Sequence, residues 1–151
     1  MKNKDKVSEL CRKLYDIAKA EPERRFHSLY DKIQRMDVLE HAWTSVMKNG
    51  GSPGIDGITI NELKKSGIEA MLKEIQSELK TRTYKPSPLK RVYIPKANGK
   101  KRPLSIPTVK DRITQTAIKI IIEPIFETQF ELNSFGFSRQ GCSVPQAFQF
   151  P

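Results

Sequence analysis

The sequence predicts an α+β fold, mostly α-helical, with one small antiparallel β-hairpin. Three observations point there. Apolar residues recur at helical spacing in four stretches, only residues 89–106 have strand character, and 10 prolines with 8 glycines divide the 151 residues into short elements. Apolar residues make up 37% of the chain and aromatics 8%, which suffices for one small core.

Residues 4–20 place Val7, Leu10, Cys11, Leu14, Ile17 and Ala18 on one helix face. Glu21-Pro22 ends that helix, because the residue before a proline disfavours helical backbone. A second helical stretch, 26–48, carries Phe26, Leu29, Tyr30, Ile33, Val38, Leu39, Ala42, Val46 and Met47, with Asp37 as an N-cap that divides it at Met36-Asp37. Trp43 falls on the apolar face and reads as core rather than as a platform for base stacking. Residues 49–57 hold four glycines and a proline and read as a loop. A third helix spans 61–80, with Leu63, Ile68, Met71, Leu72, Ile75 and Leu79 inward and Gly67 as an interruption.

Strand character follows at 89–94 and is stopped, or held to an edge, by Pro95. Asn98-Gly99 is a strong short hairpin signal, and 101–106 returns, with Pro103 again implying an edge. Thr108 caps a long helix over 109–128, with Ile113, Ala117, Ile120, Ile121 and Ile125 inward; Pro124 is expected to kink or split it. The tail from 133 to 151 alternates Phe135, Phe137, Phe148 and Phe150 with small residues and reads as irregular. Phe135 and Phe137 suit core packing better than stacking on nucleotides.

Several function classes drop out. No run of about 18 apolar residues exists to span a membrane, and no apolar segment follows the basic N-terminus to make a secretory signal. Cys11 and Cys142 match no metal spacing and no disulfide framework. His27 and His41 lack metal partners at workable spacing and read as structural. The cytoplasm is the expected compartment.

The net charge of +10 is concentrated. Residues 81–120 hold 11 basic residues against Asp111 alone, while 1–50 are net +3, 51–80 net −1 and 121–151 net −2. A block of this kind suits a polyanion, nucleic acid or a nucleotide phosphate; the alternative is a solvated basic face. Lys90, Arg91, Lys96, Lys100, Lys101 and Arg102 lie on or around the hairpin, where residues of facing strands come within about 5 Å. Such a cluster repels itself unless an anion neutralises it, and phosphates suit arginine forks and lysine point charges. The alternative is a set of lysines blunting an edge strand against aggregation. The hairpin is expected to bring Lys96 and Arg102 together at its base. Arg112 reads equally as a phosphate contact or a local partner, and Asp111 suits the helix N-terminus. The glycine loop lacks the ending of a P-loop; it is either a phosphate-approaching backbone or a helix-to-helix linker. Asp56 suits an Asx-turn better than acid chemistry.

In order, Gly51-Ser-Pro-Gly-Ile-Asp-Gly57, Tyr84-Lys-Pro86, Arg91-Val-Tyr-Ile-Pro-Lys96, Asn98-Gly-Lys-Lys-Arg-Pro-Leu104, Ile106-Pro-Thr-Val-Lys-Asp-Arg112 with Gln115, Glu123-Pro-Ile-Phe-Glu127 and Ser134-Phe-Gly-Phe137 resemble the N-terminal blocks of group II intron-encoded reverse transcriptases and related bacterial reverse transcriptases. The resemblance covers about residues 43–137, while 1–42 carry no matching motif. It implies the fingers part of a right-hand polymerase fold: an N-terminal helical extension over 1–48, fingers over 49–132 and the start of a palm over 133–151.

The same resemblance implies an RNA-directed DNA polymerase whose partners are template or intron RNA, a DNA primer and a deoxynucleotide. Lys96 and Arg102 would hold the triphosphate, with Lys90 or Arg91 near the templating base or the nascent pair. Gly54 and Asp56 in the loop, with Lys100, Lys101, Arg112 and Arg139, would face nucleic acid. The segment Ser138-Arg139-Gln140-Gly141-Cys142-Ser143 departs from the family's Arg-Pro-Gly-Arg/Lys-Ser and is one residue longer. No aspartate follows Asp111, so the palm carboxylates that hold two metals in nucleotidyl transfer are missing. Magnesium is therefore expected only in the intact polymerase, and this chain reads as a fragment that is inactive alone. It would associate with the missing palm and thumb or with a second copy. The other reading is a free-standing basic RNA-binding module, such as an intron-splicing cofactor.

Overall fold

The computed structural model describes residues 2–96 and 99–129, and for 2–5 only the helical backbone. Asn98, Arg139, Cys142 and the phenylalanines of the tail lie outside the described residues. Six helices and one two-stranded sheet follow in the order α1 (Lys2–Ala20), α2 (Tyr30–Ile33), α3 (Met36–Asn49), α4 (Ile60–Ser66), α5 (Glu69–Thr81), β1 (Lys90–Pro95), β2 (Lys101–Ile106) and α6 (Val109–Glu127).

The apolar periodicities build one core. Val7 and Leu14 of α1, Val38, Leu39, Ala42, Trp43 and Val46 of α3, Leu72, Ile75 and Leu79 of α5, and Val109, Ile113, Ala117 and Ile121 of α6 are all buried in it. Helix α6 lies at the centre and packs against α1, α3 and α5. Helices α1 and α3 share this core with the later helices. Trp43 is core, as its spacing implied.

Local chemistry accounts for most boundaries. Helix α1 stops one residue before Glu21-Pro22. The stretch expected to be helical from 26 begins only at Tyr30, and it divides where expected but not by the expected cap. Arg35 occupies the N-cap, while Asp37 in the first turn accepts from the Val38 amide at 3.0 Å and pairs with the Arg35 guanidinium at 2.6 Å. Gly67, at φ 88°, separates α4 from α5. A capping box starts α4: the Thr59 side chain accepts from the Glu62 amide, and the Glu62 carboxylate accepts from the Thr59 amide. That exchange holds the exposed Glu62 carboxyl below its ordinary pKa.

Pro124 does not split α6, which runs unbroken to Glu127. Proline has no N–H to give the carbonyl of Ile120, four residues earlier. The Cys11 thiol of α1 donates to that carbonyl instead, Sγ to O at 3.4 Å. The interhelical contact thus satisfies the acceptor that the proline leaves open.

The hairpin is antiparallel, with Lys90 opposite Ile106, Val92 opposite Leu104 and Pro95 opposite Lys101. Five residues, 96–100, connect its strands, and the loop is closed by Lys96 N to Lys100 O at 2.7 Å and Gly99 N to Lys96 O at 3.0 Å. All of β1 and all of β2 except Ile106 are exposed, so the hairpin stands clear of the helical body.

Candidate nucleic-acid interface

Strand alternation sorts the hairpin into two faces. Lys90, Val92, Ile94, Arg102, Leu104 and Ile106 share one; Arg91, Tyr93, Pro95, Lys101, Pro103 and Ser105 share the other. Both carry cations beside apolar surface. Lys96 and Arg102 lie at the other end of the hairpin from the one expected. Arg102 faces Ile94, and Lys96 opens the connecting loop, so the pair sits toward the tip of the hairpin and not at its base. The base is formed by Lys90 and Ile106. The reason is the five-residue connection, which ends the ladder at Pro95 and Lys101.

Among the described residues, no ion pair involves Lys90, Arg91, Lys96, Lys101 or Arg102. Lys100 is exposed in the same loop. Of the other cations of the basic block, Lys85 is exposed as well, and the rest are placed differently. Lys110 bridges Glu74 and Glu78 of α5, both at 2.8 Å. Burial works against its charge, but the two carboxylates outweigh it and raise its pKa. Lys119 pairs with Glu123 at 3.7 Å. The Arg82 guanidinium lies over the Tyr30 ring, 5.8 Å from its centre.

The hairpin is rooted at the start of α6, where Thr108 caps the helix by accepting from the Asp111 amide at 3.2 Å. The Asp111 side chain, 3% exposed, does more than suit the helix N-terminus. Its Oδ1 accepts from the Tyr84 hydroxyl at 2.5 Å, and its Oδ2 accepts from the Ser87 amide at 3.1 Å and the Thr108 hydroxyl at 2.8 Å. One carboxylate therefore holds both the leg leading into β1 and the leg leaving β2. Burial, with the bond to Asp111, pushes the Tyr84 hydroxyl up to about 12. Sequence reasoning did not assign this role to Asp111, although one signal was present: between Glu78 and Asp111 no acidic residue occurs among many cations. It also passed over Tyr93, which is 57% exposed between Arg91 and Lys101 on one face and is available for stacking.

The glycine-rich loop packs against this root. Asp56 makes the expected Asx-turn, Oδ1 accepting from the Ile58 amide at 3.3 Å. Gly54, expected to face nucleic acid, is buried: a Cβ there would lie 2.7 Å from the Thr108 Cα and 3.0 Å from the Pro107 carbonyl carbon. Arg112 is engaged locally, donating to the carbonyls of Pro107, Gly50 and Ser52. Among the described residues, no three His, Cys, Asp or Glu side chains come together to hold a metal. No described helix is long and apolar enough to cross a membrane.

No protein-family model matches the chain. Among curated proteins, the Escherichia coli K12 protein YkfC is 38% identical over 133 residues, which cover 87% of this chain and 35% of that protein. The group II intron-encoded protein LtrA of Lactococcus lactis is 40% identical over 116 residues, 76% of this chain and 19% of that protein. The chain is a homologue of the group II intron-encoded proteins. A 91 kDa protein in the cob intron of Schizosaccharomyces pombe is also 33% identical to this homologue over 119 residues, 79% of the chain and 14% of that protein. The homologue spans about a third of the length of YkfC and a fifth of LtrA. The match to YkfC is longer than the stretch after residue 42, so it reaches into the segment where the sequence showed no motif.

Proposed function

We propose that this chain is the fingers portion of an RNA-directed DNA polymerase of the group II intron type. It binds template–primer nucleic acid through the hairpin and, in the whole polymerase, the triphosphate of the incoming deoxynucleotide through Lys96 and Arg102. The observation that carries this reading is the set of five exposed cations on one projecting hairpin, with no carboxylate paired to any of them among the described residues. Lys90 and Arg91, at the root of the hairpin, lie toward the nascent pair. In this reading the palm, its magnesium and the thumb belong to the intact polymerase, which acts in the cytoplasm. The described residues offer no carboxylate set for the metal, and no chemical step is assigned to this chain.

Two measurements test it. The chain should bind an RNA–DNA hybrid with steep salt dependence, each neutralised phosphate adding a slope of roughly −0.7 to −0.9 in log K against log salt. In a full-length polymerase, Lys96→Ala and Arg102→Ala should lower nucleotide incorporation by about one to two decades, the size of a lost charge-assisted contact, while template–primer affinity changes far less. Equal losses in both would assign the two residues to a general basic face and favour a plain RNA-binding module.

A further inference from the structure

We infer that Arg112 is a positioning residue that fastens the glycine-rich loop, 50–59, to the root of the hairpin, so that loop and hairpin meet a polyanion as one surface. The inference rests on the nucleic-acid reading above but uses separate contacts. Arg112 lies in the first turn of α6, and three of its guanidinium nitrogens donate to three different carbonyls. Nε reaches Pro107 O at 3.3 Å, on the leg leaving β2, Nη1 reaches Gly50 O at 3.2 Å, and Nη2 reaches Ser52 O, both in the loop. Three of its five N–H donors are thereby engaged with backbone.

Two glycines make this approach possible. A Cβ on Gly51 would lie 2.7 Å from Arg112 Nη1 and push the guanidinium away. Gly54 lets the loop close on Pro107-Thr108, whose backbone cannot yield to a side chain. The loop is therefore held twice at Pro107, through Arg112 and by the approach of Gly54, and the neighbouring Thr108 also bonds to Asp111, which grips Tyr84 and Ser87. Loop, both hairpin legs and the start of α6 form one joint. A planar fork suits it in a way an ammonium does not: lysine has a methylene where Nε–H meets Pro107, and a single group where two nitrogens meet Gly50 and Ser52.

The test compares Arg112→Gln and Arg112→Lys with the parent chain by amide hydrogen exchange, which needs no ligand, and by affinity for an RNA–DNA hybrid across salt. Both variants should speed exchange in residues 50–58 about tenfold while residues 113–121 keep their protection. Both should weaken hybrid binding about fivefold with the salt slope unchanged, since neither removes a cation from the hairpin. Unaltered loop exchange in Arg112→Gln overturns the inference. So does a slope flattened by about 0.7–0.9 in Arg112→Gln with affinity restored in Arg112→Lys, which would make Arg112 a phosphate contact. Faster loop exchange in the variants, with a parent chain that binds no hybrid, would uphold the fastening and remove the nucleic-acid reading instead.

Discussion

The hairpin and its root carry the same kind of charge and treat it in opposite ways. On the hairpin, Lys90, Arg91, Lys96, Lys101 and Arg102 stand in solvent with no described ion pair. A few residues on, Lys110 and Arg112 are closed off by Glu74, Glu78 and three carbonyls, and Asp111 is buried among donors. The difference separates cations that hold the fold together from cations left to meet something else. A lone two-stranded hairpin is marginal in water, so the paired root is what lets the unpaired arm project.

The largest expected effect breaks the root. Asp111→Ala leaves the Tyr84 hydroxyl, the Ser87 amide and the buried Thr108 hydroxyl without their acceptor. Urea unfolding should show a loss of about 2–4 kcal/mol, since unsatisfied buried donors are expensive. A loss under about 0.5 kcal/mol, the range of ordinary surface changes, would deny Asp111 its role.

The next prediction sharpens the contrast by a double dissociation. Lys110→Ala should lower folding stability by about 1 kcal/mol and leave the salt slope of RNA binding unchanged. Lys101→Ala should leave stability within about 0.5 kcal/mol and flatten that slope by roughly 0.7–0.9. If both variants moved both measurements alike, the division between arm and root would have no functional content.

The last effect is confined to high pH. The Tyr84 pKa is raised in the fold to about 12 from an ordinary 10. Its contribution is therefore complete below pH 10 and declines as pH rises from 10 to 12, where the unfolded chain ionises first. The stability difference between the parent and Tyr84→Phe should be flat below that window and shrink across it. A difference that grew with pH would mean that the hydroxyl is not held neutral by burial beside Asp111.

Elements that depend on neighbours in sequence were legible from residues alone. Thr108 caps α6, Asp56 turns on the Ile58 amide and Gly67 parts two helices, because each acts within three residues of itself. Trp43 was placed by the helical period. The hairpin was legible too, but Lys96 and Arg102 were set at the wrong end of it, because the strands end at Pro95 and Lys101 and leave a five-residue connection.

By itself, the sequence determined the order of elements, the concentration of charge in 81–120 and the series of motifs shared with the group II intron-encoded proteins. Local rules and linear patterns carry all three. Only the tertiary structure decided which cations are paired. Arg112 meets Gly50 and Ser52 across about sixty positions of chain, and Lys110 meets Glu74 across thirty-six. Contacts at such separations obey no period. The helices create them when they pack around α6, and the same packing buries Gly54 and Asp111 while leaving the hairpin in solvent.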